Sequence, residues 1–308
     1  MLEITNPTEY ELENTLQFAF QHLSAHEFRL QIDTIMLRYQ AGQIDLQGII
    51  QAKYEGKLVG AIYAQSRPDG AVMLWVPTMA YGFSSESMFE PLEQFCRSQK
   101  AYAAIALADR NQSFDEQTFC SAGRFRHLSD LIYLAAEILP SETTNMPYRL
   151  QFVPLTDESE EVSARLARLV KETYQHTLDF PDLMQIAPVE RVLQGYKSNA
   201  LFRPELWFVL QKENTDVGVL LLTDVSSEQF ELTYMGLVES ARRQGYAREI
   251  VRFAKEMACR WERPLLLTSV DAKNIPACQV YLTQGFKAWN RKKIYGRFFF
   301  DCGDAANS

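Results

Sequence analysis

Apolar positions along this chain alternate between two periods, and the order in which they do so occurs twice. After a strand-like "LEITN", residues 10–22 and 27–39 space their apolar side chains at three and four, as an amphipathic helix does. Three runs then read as strands, "GIIQAKYEG", "LVGAIYAQS" and "AVMLWVPTM". A helical pattern over residues 91–100, a strand "AAIALAD", a helix over residues 114–120 and a β-tail "FRHLSDLIYLAAEI" close the first series.

The second series opens on the strand-like "YRLQFVPL", a helix over residues 158–176, a Pro-containing loop "TLDFPDLMQIAP" and a short helix over residues 189–197. Strands "ELWFVLQK", "VGVLLLTDV" and "FELTYMGLV" follow, separated by the turn-forming "ENTD" and "SSEQ". A helix running to about Trp261, a strand "PLLLTSVDA", a helix over residues 275–284 and a β-rich "FKAWNRKKIYGRFFF" complete it.

The two series superpose without a gap through the three strands. Val59-Gly60 falls over Val217-Gly218, and Phe95 over Phe253, at one offset of 158 residues, which is a domain length. The expectation is two α/β domains, 1–143 and 148–308, joined by the linker-like "PSETTNMP" at residues 140–147.

Composition narrows the function. Of 308 residues, 47% are hydrophobic and 23% charged, as in an ordinary globular chain, and the formal net charge of −8 argues against a nucleic-acid or anionic-membrane partner. No apolar run approaches a membrane span and the first residues lack a signal-peptide pattern, so a cytoplasmic location is expected. Five cysteines without a CxxC pair suggest neither a disulfide framework nor zinc. His22 and His26 fall at i and i+4 of one helical pattern without companion ligands, so no metal is expected.

The stretch "ESARRQGYAREIV", residues 239–251, sits where the third strand of the second series gives way to a helix. It reads as a solvated basic turn or as a phosphate cradle: a helix start leaves its first N–H groups without intrahelical partners and carries partial positive charge. Gly245 permits positive φ or a close backbone approach, and Ala247 leaves room. Further on, "NIPACQVYLTQGF" places Asn274 at a helix start, Tyr281 seven residues later and Gly285-Phe286 at the helix stop. Alone, this is a capped helix with a half-buried tyrosine.

Together and in this order, the two segments resemble the GNAT superfamily of acyl-CoA-dependent N-acyltransferases. Its acyl-CoA loop, Gln/Arg-x-x-Gly-x-Gly/Ala, is met by Arg242, Gly245 and Ala247; its later motif is met by Asn274, Ala277, Tyr281, Gly285 and Phe286. The resemblance covers residues 148–300, and the whole chain is similar to a tandem GNAT protein, an arrangement like that of mycothiol synthases. It implies an α/β fold of two GNAT-like domains, each a mixed, mostly antiparallel twisted sheet flanked by helices.

What the resemblance implies for the site can be placed on residues. Backbone amides of Arg243, Gln244, Gly245, Tyr246 and Ala247 would hold the pyrophosphate of acetyl-CoA, with Arg242 and Arg243 adding charge at the rim. The Leu237-Val238 peptide would offer its N–H to the acyl carbonyl, Asn274 would contact the pantetheine arm, and Tyr281 would face the sulfur.

An attacking amine must be neutral, and holding a lysine-like amine neutral at pH 7 costs about 4.6 kcal/mol. Glu231 is a candidate base, which alternation places on one strand face with Thr233 and Met235; it reads equally as a solvent-facing strand residue. A tyrosine hydroxyl can donate to a leaving thiolate. In the loop before the short helix, Asp179, Phe180 and Asp182 could hold a cationic amine, or the loop is a solvated surface turn.

The first series lacks these groups. At the same offset Arg242, Gly245 and Ala247 face Ser84, Ser87 and Phe89, Pro91 removes an N–H, and Glu231 faces Met73; after a small shift Tyr281 faces Phe119. The first half is therefore expected not to bind CoA in the usual way. The expected function is transfer of an acetyl group from acetyl-CoA to a primary amine, small-molecule or peptide, in a ternary complex. The alternative is a non-catalytic acyl-CoA sensor or interaction protein, and a monomer and a homodimer both fit.

Overall fold

Helix starts follow from local capping. Ser24 and Glu27 form a capping box, and Asp115, Ser159 and Asn274 each accept a backbone N–H from the first turn of the helix that follows. In the computed structural model, which describes all residues except 111, 140–145, 156, 158, 199–201 and 300–308, the chain forms two units, residues 1–128 with 292–308 and residues 129–291. The predicted linker, apart from residues 146 and 147, and Cys302 lie outside the described residues.

The elements in chain order are β1 (Glu3–Thr5), α1 (Glu9–Ala19), α2 (Ala25–Gln40), β2 (Ile49–Tyr54), β3 (Lys57–Ser66), β4 (Ala71–Trp75), β5 (Thr78–Met79), α3 (Phe89–Ser98), β6 (Ala103–Asp109), α4 (Glu116–Ser121) and β7 (Arg126–Glu137). The second series gives β8 (Gln151–Pro154), α5 (Glu160–Thr173), α6 (Pro181–Met184), α7 (Val189–Ser198), β9 (Trp207–Lys212), β10 (Thr215–Ser226), β11 (Gln229–Leu237), α8 (Tyr246–Arg260), β12 (Leu265–Asp271), α9 (Ile275–Thr283) and β13 (Lys287–Phe298).

Two expectations need correction. The stretch 71–79 is not one strand: β4 ends at Trp75, Val76 N–H bonds to Leu107 O at 3.1 Å, Pro77 has no N–H to give, and β5 pairs separately with β3. Nor do His22 and His26 share a helix. α1 stops at Ala19, and His22 lies in the turn before α2 with Nε2 3.4 Å from Asp109 Oδ2.

Each unit has a mixed, mostly antiparallel sheet with one parallel pair. The first runs β1-β2-β3-β4-β6-β13 and the second β8-β9-β10-β11-β12-β7, with β4–β6 and β11–β12 parallel. The tails are exchanged: residues 131–137 of β7 pair antiparallel with β12, whereas residues 292–298 of β13 pair with β6.

In the second unit residues 217–224 of β10 are buried without a break, because both sheet faces are covered. α5 packs against β10, and α8 against β11 and β12 through the buried stripe Ile250, Val251, Ala254 and Ala258. This packing fixes the start of α8 at the end of β11.

Candidate active site

At the end of β11 the chain makes one 3₁₀ turn, Glu239–Ala241, and reaches α8 through two residues with positive φ, Arg243 at 60° and Gly245 at 82°. Left-handed backbone costs an L-residue roughly 1–2 kcal/mol, so Gly245 suits its place and Arg243 is strained. Such turns make anion-binding backbone concavities. Gly245 caps α8 without any side-chain hydrogen bond, unlike Ser24, Ser159 and Asn274 at their helices. The first N–H groups of this fifteen-residue helix thus have no side-chain acceptor from the cap.

Side chains brace this turn, and one was not legible in the sequence. Arg149 Nη1 donates to Gln244 O at 3.0 Å, its Nε to Glu249 at 3.2 Å, and its guanidinium lies 4.7 Å from the centre of the Tyr246 ring. Buried Glu249 also accepts the Leu150 N–H at 2.7 Å. Arg149 thus puts a cation beside Gly245 from nearly a hundred residues upstream, with no local motif to announce it.

Arg242 has a different part from the one expected. Its guanidinium donates to Leu237 O, His176 O, Thr173 O and Gln175 O at 2.7 to 3.2 Å. Its donors close the C-terminal carbonyls of α5 and tie that helix to the end of β11. Arg243 and Gln244 are exposed, Tyr246 is buried, and Ala247 is half-buried.

β11 and β12 pair only over Gln229–Glu231 against Leu265–Leu267, although β11 runs on to Leu237 and β12 to Asp271. Where they part, the Thr268 hydroxyl donates to Leu232 O at 3.0 Å. Beyond that point a slot opens. On the other side of β11, Val238 N–H donates to Val217 O at 3.0 Å. This corrects the expectation for the Leu237-Val238 peptide, whose N–H is engaged; by the alternation of an antiparallel ladder it is the N–H of Leu237 that faces the slot.

A β-bulge also changes the face of Glu231. β11 inserts Thr233 between Leu232, opposite Leu222, and Tyr234, opposite Leu221. Glu231, opposite Thr223, therefore shares its face with Thr233 and Tyr234, while Met235 turns to the other. The Thr223 and Thr233 hydroxyls lie 2.7 Å apart across that face. Burial pushes the Glu231 carboxyl above its ordinary range.

Tyr281 is 4% exposed and packs edge-on against Phe286. Burial raises its phenol, the Thr268 side chain works the other way, and the charges of Asp179, Cys278 and Tyr234 add to the rise. It keeps its proton at neutral pH and is therefore a hydrogen-bond donor. Asn274 caps α9 by accepting the Ala277 N–H at 3.3 Å, and its side chain works against the rise of the Asp179 carboxyl.

Asp179 accepts the Asp271 N–H at 2.9 Å, and burial raises its carboxyl. Phe180 has φ 45°, its N–H donating to Asp271 Oδ2 at 3.1 Å, whereas Asp182 is exposed. Asp179 is thus held at the end of β12, and Tyr281 lies two turns along α9 from the Asn274 cap.

The first unit differs at each of these points. β4 and β6 pair along Ala71–Trp75 and Ala103–Leu107, and Val76 N–H extends the pairing, so no slot opens. α3 is entered through a right-handed 3₁₀ turn capped by Met88 at φ −86°. Phe119 is fully buried, stacked on Phe125 at 4.3 Å and packed against Phe89, Phe114 and Tyr295. Among the described residues, no group of three or more His, Cys, Asp or Glu could hold a metal, and no helix is long and apolar enough to cross a membrane.

An uncapped helix start, a slot between diverging parallel strands and a buried tyrosine thus occur in one α/β unit. Residues 149–287 match the family model described as the acetyltransferase (GNAT) domain, and this part of the chain is similar to that family. That match supports an acyltransferase activity in general terms. No curated protein matches the chain.

Among solved structures, a GCN5-related N-acetyltransferase from Sphaerobacter thermophilus is similar at TM-score 0.60 and 15% identity, over 96% of this chain and 95% of that one. A tandem GNAT protein from the clavulanic acid biosynthesis pathway is similar at 0.52 and 11%, over 97% and 98%. A GCN5-related glucosamine N-acetyltransferase region of a fungal multi-domain GH3 β-N-acetylglucosaminidase is similar at 0.57 and 15%, over 96% of this chain and 38% of that one. The tandem GNAT fold extends over the described chain.

Proposed function

We propose that the second unit is an acetyl-CoA-dependent N-acetyltransferase acting on a primary amine, and that the first unit is a structural companion that binds no CoA in the usual way. The observation that carries this reading is the meeting, in one unit, of the left-handed turn at the uncapped α8 start with the β11–β12 slot; in the first unit α3, also without a side-chain cap, is entered through a right-handed turn, and β4 and β6 stay paired. Acetyl-CoA supplies an activated acyl thioester. The N–H groups of residues 243–247 hold its pyrophosphate, and Arg149 and Arg243 add positive charge beside them. Leu237 N–H stabilises the developing oxyanion, an interaction worth some 3 to 4 kcal/mol in barrier. Tyr281 donates a hydrogen bond to the departing sulfur. Burial-raised Asp179 and Glu231 are the carboxylates at hand for the amine and its proton, with Asn274 steadying Asp179 and Phe180 and Asp182 on the acceptor side.

Calorimetric titration of acetyl-CoA into the full chain tests it. One site per chain, abolished by Gly245→Glu, is the expected result. Two sites would overturn the role given to the first unit, and no binding would overturn the function.

A further inference from the structure

The last strand of the first unit carries a charge that the fold does not ask for. Ala104 on β6 pairs with Arg297, whereas Leu266, its counterpart on β12, pairs with Ala136. That correspondence follows from the registers Ala71 to Ala103 and Gln229 to Leu265, which the 158-residue offset superposes. At the same offset Glu93 of α3 matches Val251 of α8. Where the second unit has alanine and valine, the first buries an ion pair: Arg297, 8% exposed, donates to Glu93 and, through Nη1, to Gly123 O at 3.2 Å. Such a pair is a poor stabiliser, because desolvating two charges offsets most of their attraction.

Around Arg297 the charge is one-sided. Arg97, in the last turn of α3, also pairs with Glu93 at 2.8 Å, and Arg297 and Arg97 together hold that carboxyl below its ordinary range. Arg124 and Arg126 stand exposed at the turn from α4 into β7. With Phe298 and Phe299 these four arginines line a cleft of about 340 Å³, and among the described residues no carboxylate lines it. The rings carry cations on their faces: Arg126 lies 4.8 Å from the centre of Phe298, Arg297 5.2 Å and Arg97 5.8 Å from that of Phe299.

Arg124 is held at φ 56°, left-handed backbone that glycine adopts freely and an L-residue does not. In the second unit the turn after α9 gives that conformation to Gly285, at 85°. An arginine kept where glycine would be unstrained points to work for its side chain. The place is not the counterpart of the α8 turn. That turn corresponds to the start of α3, whereas Arg97 is about 12 Å further along the helix, and Arg297 and Phe298 lie opposite the first residues of β6.

We propose that this cleft of the first unit binds a small organic phosphate, a phosphomonoester whose oxygens meet Arg97, Arg124 and Arg126 and whose organic group lies against Phe298 and Phe299. Guanidinium forks match phosphate oxygens two at a time. A phosphomonoester carries about −1.5 to −2 charges at pH 7 and three acceptor oxygens, whereas a carboxylate has one charge and two oxygens. The volume falls within the roughly 300–1,000 Å³ of small-molecule sites.

Calorimetry of phenyl phosphate, glucose 6-phosphate and benzoate into full-length Gly245→Glu tests the cleft with the α8 turn blocked. The expected result is one site per chain for a phosphate ester, tighter than for benzoate and weakened by salt. Arg124→Gly should weaken it roughly tenfold or more while holding or raising the melting temperature, a pair of effects that misfolding does not give. Arg126→Gln should weaken it similarly. Esters and benzoate binding alike, affinity that survives Arg124→Gly and Arg126→Gln together, or no binding of either ester would overturn the proposal. So would displacement of phenyl phosphate by acetyl-CoA in this chain, which would make the cleft a second cofactor site.

Discussion

Arginine at position 242 shows how a motif residue can be placed correctly and its work misjudged. The sequence pattern asks for Arg or Gln there, and charge at a phosphate rim is the natural expectation; the structure gives its donors to four carbonyls that end α5 and β11. Hydrogen bonds from a charged donor contribute about 1.5–3 kcal/mol, so Arg242→Met should lower stability by at least that much in urea unfolding. Tyr281→Phe should cost roughly 10²- to 10⁴-fold in rate with acetyl-CoA affinity intact; an unchanged rate would remove the phenol from the reaction. Glu231 adds a pH dependence. Because burial raises its folded-state pKa, it favours folding while protonated, and this contribution fades as pH rises from the ordinary carboxylate value, about 4.3, through the raised one. Glu231→Gln should therefore leave the urea midpoint unchanged near pH 4 and raise it at pH 7.5.

Among elements, those governed by local period and punctuation were legible. β6 coincides with the predicted "AAIALAD", and α8 follows its glycine as the pattern requires. What escaped depends on partners distant in sequence. The Thr233 bulge exists only relative to β10, so plain alternation put Met235 on the wrong face. The break at Val76 depends on a bond to Leu107. The left-handed glycine before α8 was legible because positive φ has a residue signature, whereas the Arg149 brace has none. Gly245→Ala tests the turn itself: a methyl there would sit 3.3 Å from Arg149 Nη2 in a backbone costing an L-residue roughly 1–2 kcal/mol. A lower melting temperature together with weaker acetyl-CoA binding is expected, and a variant that binds as tightly as the parent would show that the α8 turn need not be left-handed.

For the whole molecule the consequential feature is the exchange of tails. The repeat was visible from the 158-residue offset, but period-two tails carry no mark of the strand they will pair with. Cutting the gene at residues 143 and 148 would give an N-terminal piece without β13 and a C-terminal piece without β7. The first loses Ile294 and fully buried Tyr295, the latter packed against Phe114 and Phe119 and donating to Glu116 at 2.5 Å. The second loses Leu134 and Ala136 from its core and leaves β12 with an unpaired edge. Removing two large buried side chains costs on the order of 5 kcal/mol or more, comparable with the 5–15 kcal/mol that holds a domain folded. Each piece made alone should aggregate or lack a cooperative melt. The two co-expressed should recover a folded pair that binds acetyl-CoA once, because each brings the strand the other lacks. A C-terminal piece that melts cooperatively and binds acetyl-CoA unaided would show that the exchanged strands are dispensable to the site.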